Sequence, residues 1–383
     1  MSRRLVAGTL VCAGLALSLV AQLHSGLLEV STARGSVGPS ANPPKILTAY
    51  FGYNNCTGIR DLNGNGLVDE AQAGGCRVVP VPGTQTLVTN VATPDALVAT
   101  CLSTSTPKPT ADQLQRLDAM PVTFSGPVQA STLDPSSFVV QMSNGALRKP
   151  LCVALAPAIE TNEGETVLIM GDFGEPKASG KPYPARLTAG GVQVMQTGGT
   201  FVTMATMAVD VMDYSASPLL LGVKLTRYPE SGEASTGRGS PNHCRDRFPT
   251  TNYVLQLLWS GGVTRDGVNS LLPNENGLFR SATASGLFNV QVHNQSGALV
   301  DSFQVAGVKI LGLADLGTGQ PVPGQFWAHD GDNYLQICLE LAAGYDPSKI
   351  ALLSVDPNNS AGLKLYDPTG DVPISPQKVL ITR

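Results

Sequence analysis

The chain has 383 residues, of which 14% are charged and 5% aromatic, and its formal net charge is -4. This length accommodates about two or three domains, and a hydrophobic content of 42% excludes wholesale disorder. The 41 glycines and 28 prolines favour a turn-rich β protein, and the lack of a basic excess argues against nucleic acid as a partner.

The N-terminal segment has the pattern of an export signal. Arg3 and Arg4 precede an apolar stretch over residues 5–23. We therefore predict a signal peptide over residues 1–25 and a secreted or cell-envelope location. The alternative is an uncleaved membrane anchor, because about nineteen apolar residues are enough to cross a bilayer. No membrane span is predicted beyond this segment.

The rest of the chain is predicted to divide into a tether and two domains. Residues 26–44 are rich in Ser, Thr, Gly, Pro and Ala, a composition typical of a flexible linker. The first domain is expected over residues 45–220, with a calcium-type loop near its start. The second is expected over residues 221–383.

Residues 61–70 have the spacing of a calcium-binding loop. Oxygen-bearing side chains occupy loop positions 1, 3, 5 and 9, and a glycine at position 6 permits the sharp turn. A strict EF-hand has a bidentate acid at position 12, where this chain has Gln72. The alternative is therefore an Asn-Gly turn without an ion. We predict calcium as a cofactor, with the ligands Asp61, Asn63, Asn65 and Asp69.

The cysteines favour disulfides. If Cys12 is removed with the signal, six cysteines remain, an even number in an exported chain. Six cysteines permit fifteen pairings. A bond that closes the proposed ion loop, together with pairing by proximity along the chain, gives Cys56–Cys76, Cys101–Cys152 and Cys244–Cys338.

In the first domain, short β-branched runs alternate with Asp-Pro and Asn-Gly turns. This pattern predicts an antiparallel β-sandwich. The turns are expected over residues 133–137 and 143–145. The predicted strands are residues 46–51, 122–124, 138–142 and 166–170.

Part of this domain resembles a known family. The segment 121–128, the Leu-Asp-Pro-Ser-Ser-Phe run at 133–138, the Ser-Asn-Gly turn at 143–145 and the strand at 165–173 are similar to bacterial immunoglobulin-like domains of exported surface proteins. The resemblance covers about residues 115–175. It implies an immunoglobulin-like sandwich that serves as a spacer or adhesive module, with no catalytic residue.

The second domain is predicted to be a sandwich as well. Trp259 stands in its most apolar strand and is expected in the core, whereas Trp327 lies in a Gly/Pro loop and is a candidate contact residue. The strand predicted from Tyr334 is continuously apolar, which favours burial on both faces. The predicted strands are residues 253–259, 288–293, 303–308 and 334–339.

Two further clusters are candidate ligand or acid/base sites. His243 and Asp246 flank Cys244, but side chains an odd number of positions apart point to opposite faces of a strand. The alternative there is a disulfide with exposed neighbours. Asp330 and Asp332 stand in an Asp-Gly-Asp run, which binds a cation or ligand or is a solvated turn.

No catalytic motif defines an activity. There is no G-x-S-x-G elbow and no phosphate-binding P-loop. We predict an exported, non-enzymatic binding or spacer module, stabilised by calcium and disulfides, with an extracellular or cell-surface ligand. One alternative is a secreted hydrolase of polysaccharides or esters that uses paired carboxylates from Asp246, Asp330, Asp332 or Glu340. Another is a structural subunit of a surface assembly, which would require an exposed strand edge.

Overall fold

A computed structural model of the chain describes its β-rich parts. All described residues belong to one compact unit, Ala33–Arg383. The described residues are 43–51, 78–80, 87–89, 117–155, 163–196, 199–213, 216–228, 244–261, 263, 288–314, 333–355 and 374–382. The predicted signal peptide, the calcium loop at 61–70 and Trp327 therefore lie outside the described part. Six further candidate site residues also lie outside it: Cys56, Cys76, Cys101, His243, Asp330 and Asp332.

The first large sheet has eight strands. Its order, from edge to edge, is β6-β5-β9-β12-β1-β4-β8-β7. Most neighbouring strands are antiparallel, but β1 pairs with β12 in parallel. The strands are β1 (Ile46–Tyr50), β4 (Asp118–Phe124), β5 (Phe138–Met142), β6 (Leu147–Arg148), β7 (Cys152–Ala154), β8 (Thr166–Gly171), β9 (Pro184–Ala189) and β12 (Met207–Met212).

The second large sheet also has eight strands. Its order is β16-β15-β19-β20-β13-β14-β18-β17, and β13 pairs with β20 in parallel. The strands are β13 (Leu220–Arg227), β14 (Tyr253–Trp259), β15 (Phe288–His293), β16 (Leu299–Asp301), β17 (Val308–Ala314), β18 (Tyr334–Leu341), β19 (Ile350–Val355) and β20 (Gln377–Thr382). Once two extra hairpins of the first half are set aside, both sheets connect their strands in the same sequence order.

The extra hairpins are two-stranded. They pair β2 (Val78–Pro80) with β3 (Leu87–Thr89), and β10 (Gln193–Met195) with β11 (Phe201–Thr203). Among the described residues, helical structure is limited to one four-residue helix, α1 (Cys244–Arg247), and short 3-10 turns. The 3-10 turns are Ala130–Thr132, Pro135–Ser137, Lys177–Ser179, Ser302–Gln304 and Pro347–Lys349.

Each curled sheet surrounds its own apolar core. Phe124, Phe138 and Phe173 have no exposed surface and belong to the core of the first sheet. Trp259 and Phe288 are equally buried in the core of the second. Strands such as β15, in which alternate residues are buried, turn one face to a core. Strands such as β4 and β18 are buried along almost their whole length. Burial of aromatic side chains of this size is a large share of the hydrophobic stabilisation.

The structure confirms the all-β prediction and several strands, and corrects three points. The sheets are mixed rather than antiparallel, because the first and last strands of each half lie side by side and run in the same direction. The strand predicted at 303–308 is instead the 3-10 turn Ser302–Gln304, with β17 beginning at Val308. The alternation argument for His243 and Asp246 does not apply, because Asp246 lies in the helix Cys244–Arg247.

Candidate functional site

The described side chains with the most unusual environment lie where the two large sheets meet. We call this contact the junction. It is formed mainly by the start of β18, the start of β8, the end of β14 and the connector at residues 216–219. Its members are Leu47, Tyr50, Glu165, Thr166, residues 216–219, Leu221, Leu258, Trp259, Gly261, Asn333 and Tyr334.

A hydrogen bond between Tyr334 and Glu165 lies at the centre of the junction. The Tyr334 hydroxyl donates to Glu165 Oε2 at 2.5 Å, and the Glu165 backbone N–H donates to the same hydroxyl oxygen at 3.2 Å. Tyr334 is 4% exposed and Glu165 is 2% exposed. A buried carboxyl group needs hydrogen-bond donors to offset its desolvation. The phenol of the second half therefore supports a buried acid of the first half.

Burial and negative charge act on Tyr334 in the same direction. Desolvation raises the pKa of the Tyr334 phenol well above its ordinary value of 10.0, and the Glu165 carboxyl raises it further. A second buried acid, Glu163, adds to the effect. The phenol therefore keeps its proton at neutral pH and remains a donor to Glu165.

Asn333 extends the polar contact. Its side-chain amide donates to Thr166 Oγ1 of the first half at 2.8 Å and to the Trp259 carbonyl of the second half at 2.6 Å. The backbone N–H of Trp259 donates to the backbone carbonyl of Asn333 at 2.8 Å. Asn333 is 4% exposed. One buried amide thus joins β8 to β14, and its loss would leave buried groups on both strands without a partner.

A small apolar cluster covers the polar contacts. Leu221, Leu258 and Tyr334 are buried together, and Leu47 of the first half packs against them with Leu219 of the connector. This cluster is separate from the two main cores. It excludes water from the Tyr334–Glu165 bond, which strengthens the bond electrostatically.

The connector between the sheets is held by side chains of the second half. Gln377, at the start of β20, donates to the Pro218 carbonyl at 2.8 Å and accepts from the Leu220 N–H at 2.7 Å. Ser260 Oγ accepts from the Leu219 N–H at 2.9 Å. Three backbone groups at the end of the connector are therefore paired, as buried backbone groups require.

A tyrosine of the first half packs directly on a glycine of the second. Tyr50 has no exposed surface, and its hydroxyl donates to the Ala216 carbonyl at 3.2 Å. A Cβ atom added to Gly261 would lie 2.5 Å from Tyr50 Cδ1. Two non-bonded carbon atoms cannot lie that close, so one of the residues would have to move. Gly261 therefore permits a close approach between the halves that another residue would prevent.

The predicted cysteine sites are partly described. Cys244 and Cys338 are joined by a disulfide, and both are fully buried. The bond ties α1 to the middle of β18, beside a small cluster with Val254 and Ala314. Cys152 is disulfide-bonded as well.

Glu340 is the one predicted acid whose side chain is described. It accepts from Thr250 Oγ1 at 2.8 Å and from Lys309 Nζ at 3.2 Å. These two hydrogen bonds, that of Thr250 first, lower the pKa of the Glu340 carboxyl. This environment keeps Glu340 ionised at neutral pH, whereas a general acid needs a raised pKa.

The described residues contain no cluster of three or more His, Cys, Asp and Glu side chains placed to hold a metal ion. Across the same residues, no helix is long and apolar enough to cross a membrane.

Sequence reasoning did not find the junction. Its central hydrogen bond joins residues 169 positions apart, so no local sequence pattern predicts it. One signal was present: Glu163 and Glu165 are two acids directly before an apolar strand in a chain with only 14% charged residues. Acidic residues that are buried at the start of such a strand need a hydrogen-bond or charge partner elsewhere in the fold.

Comparisons with known proteins assign no family. No protein-family model matches the chain, and no curated protein matches it either. Among solved structures, a crystal structure of the S-layer protein rSbsC is weakly similar, with 12% sequence identity and a TM-score of 0.17. The match covers 68% of this chain and spans 30% of the length of that chain.

Proposed function

We propose that the chain is a non-enzymatic, exported module that holds two β-sandwich domains in a fixed relation outside the cell. In this role it either holds another protein at a distance from the cell envelope or presents a binding surface to an extracellular or cell-surface ligand. The observation that carries the proposal is the buried junction, in which Tyr334, Glu165 and Asn333 join the two halves. Tandem domains that touch only through small, solvated polar contacts move relative to one another. The hydrogen bonds of the junction are buried, and a buried hydrogen-bond network favours one arrangement of the two domains.

The strand order supports immunoglobulin-like domains over residues 45–220 and 221–383. Lettered in chain order, β13 to β20 become strands A, B, C, C′, D, E, F and G. The observed order then places C′CFG beside ABED, which are the two sheets of an immunoglobulin sandwich. The first half has the same order once its two extra hairpins are omitted. Two copies of one scaffold suit a spacer better than a single catalytic cleft.

Export is supported by the disulfides. The Cys244–Cys338 bond closes a loop with a sequence separation of 94, and such bonds persist in oxidising compartments. The predicted signal segment at residues 1–25 agrees with this location. Calcium bound at residues 61–70 would add to the stability of the folded state, since a ligand that binds only the native form stabilises it. An unchanged thermal midpoint when calcium replaces a chelator would remove the ion from this proposal.

The proposal is tested by the distance between the halves. Ala146 and Ala343 are exposed, one in each half, and each can be replaced by a ketone-bearing residue for spin labelling without new thiols. We expect a single narrow distance distribution from pulsed electron resonance, because the junction holds one arrangement. Tyr345→Phe, which removes a hydroxyl group outside the junction, should leave the distribution narrow. A broad distribution in the unmodified protein would contradict the fixed arrangement.

A further inference from the structure

A cation–π contact lies just beyond the end of β13 in the second sheet. The guanidinium of Arg245 lies over the ring of Tyr228, 4.3 Å from the ring centroid. Arg245 is exposed and Tyr228 is half-buried. Stacking on an aromatic ring fixes the plane of a guanidinium and leaves the N–H groups at its edge available to a ligand. The contact therefore presents an ordered set of hydrogen-bond donors to the solvent.

The helix that carries Arg245 is anchored to the sheet. Cys244 is joined by the disulfide to Cys338 of β18, and neither cysteine has exposed surface. The backbone N–H of Phe248 donates to the Cys244 carbonyl at 2.7 Å, and Thr251 Oγ1 donates to the Phe248 carbonyl at 2.7 Å. Because the main chain beside Arg245 is fixed, less conformational entropy is lost when its side chain binds a ligand.

Two further polar side chains of β13 face outward. Val223 and Leu225 belong to the core of the second sheet, so Lys224 and Thr226 point to the opposite side, because successive side chains of a strand alternate between its faces. Both are half-buried. Tyr228 follows in the same alternation, two positions after Thr226. The outward surface that we call the basic stripe consists of Lys224, Thr226, Tyr228 and Arg245.

The basic stripe is positively charged in a chain that is acidic overall. Among the described residues no ion pair involves Arg245 or Lys224. Glu340 of β18 is already paired with Lys309. The segment 224–247 has five Lys and Arg residues and three acids, whereas the whole chain has a formal net charge of -4. The stripe is therefore complementary to an anion, and a guanidinium binds a carboxylate or a phosphate with two parallel hydrogen bonds.

We propose that the basic stripe binds an acidic polysaccharide through its carboxylate or phosphate groups. This inference rests on the proposed function, because it names the class of the extracellular ligand. β13 lies between β20 and β14, so it is not an edge strand and cannot take up a peptide as an added strand. Four positions along a strand span roughly 13 Å. A polymer with repeated acidic groups can therefore meet Lys224 and Arg245 together, whereas a small anion meets only one of them.

Three dextrans that share one backbone test the inference by isothermal titration calorimetry with the oxidised chain. They are carboxymethyl dextran, dextran phosphate and neutral dextran. We expect at least one charged dextran to bind and neutral dextran not to bind, and the charged dextran that binds more tightly identifies the acidic group. Binding should weaken as the salt concentration rises from about 0.1 M to about 1 M, because the Debye length falls from about 10 Å to about 3 Å.

Variants of the basic stripe separate a local site from overall charge. Arg245→Gln is expected to raise the dissociation constant about tenfold, and Lys224→Gln should raise it as well. Arg245→Lys keeps the charge but loses the planar pair of donors, so it should weaken binding by a smaller factor. The matched controls Arg148→Gln and Lys149→Gln each remove one positive charge from an exposed position of the first half and should leave the constant unchanged.

The proposal would be overturned if neither charged dextran bound at about 0.1 M salt, if neutral dextran bound equally well, or if the controls were as damaging as Arg245→Gln. Equally tight binding of poly-glutamate would also overturn it, by assigning the stripe to acidic proteins. Circular dichroism checks that each variant is folded, and Lys224→Gln decides if Arg245→Gln is not. A narrow distance distribution between the halves without dextran binding would reject this ligand class and leave the spacer function intact.

Discussion

The substitution Tyr334→Phe is expected to lower the free energy of unfolding by about 2–4 kcal/mol, although it removes one oxygen atom. The phenol donates to Glu165 at 2.5 Å in a site where both residues are buried. Without it, a buried carboxyl group loses a donor that water cannot replace. Urea unfolding followed by fluorescence measures the change. Tyr345→Phe is the matched control, because the Tyr345 hydroxyl is buried and has no hydrogen-bond partner among the described residues.

The same pair predicts a dependence on alkaline pH. The folded-state pKa of Tyr334 is raised above 10.0, so its contribution to stability is fully present below pH 10 and is lost as the pH rises through the folded pKa. We expect the unmodified protein to lose stability more steeply above pH 10 than Tyr334→Phe does. Equal losses for Tyr334→Phe and Tyr345→Phe at neutral pH, together with equal alkaline slopes, would show that the Tyr334–Glu165 bond does not stabilise the junction.

Removal of the Cys244–Cys338 disulfide is expected to cost about 4–5 kcal/mol. The bond closes a loop with a sequence separation of 94, and a cross-link over a long loop removes more entropy from the unfolded chain. The double variant Cys244→Ala/Cys338→Ala avoids placing new polar groups at two fully buried positions. Its free energy of unfolding in urea, compared with that of the oxidised parent, measures the effect.

Reduction of the parent protein is not an adequate substitute for this variant, because Cys152 is also disulfide-bonded. Hydrogen exchange locates the effect: loss of the cross-link should lower protection in β14, β17 and β18, which surround the bond, before it does so in the first sheet. A change below about 1 kcal/mol would contradict the loop-closure account.

Some strands were predicted from their local pattern, whereas β9, β12, β13, β19 and β20 were not predicted. The bounds of Phe138–Met142, Tyr253–Trp259 and Phe288–His293 were predicted correctly from alternating or continuous apolar residues. The burial of Trp259 and of β18 is confirmed in the same way. Such patterns reflect which face of a strand meets the core, and that information lies within a few residues.

The errors arose where a local pattern was overridden. Residues 303–308 are apolar enough for a strand, but Gly307 adopts a positive φ of 99° and the preceding residues form a 3-10 turn. The parallel pairing of β1 with β12 joins residues about 160 positions apart, such as Ala49 and Val211. Turn residues and the spacing of apolar residues along the chain do not predict which distant strands pair, or in which direction.

The junction was unpredictable for the same reason. Tyr334 begins a strand whose pattern predicts only burial, and Asn333 directly precedes that strand. Glu165 directly precedes a strand of the other half. Only the three-dimensional fold shows that these residues meet. Of the acids proposed from the sequence, Asp330 and Asp332 lie outside the described residues, and their roles stay predictions.

The central claim is that the buried junction makes the two halves one cooperative unit. Differential scanning calorimetry of the oxidised chain tests it most directly. We predict one transition whose calorimetric and van't Hoff enthalpies agree, as for a single two-state unit, and we expect Tyr334→Phe to separate it into two. Two well-resolved transitions in the unmodified protein, unaffected by Tyr334→Phe, would mean that the halves unfold independently and that the junction does not couple them.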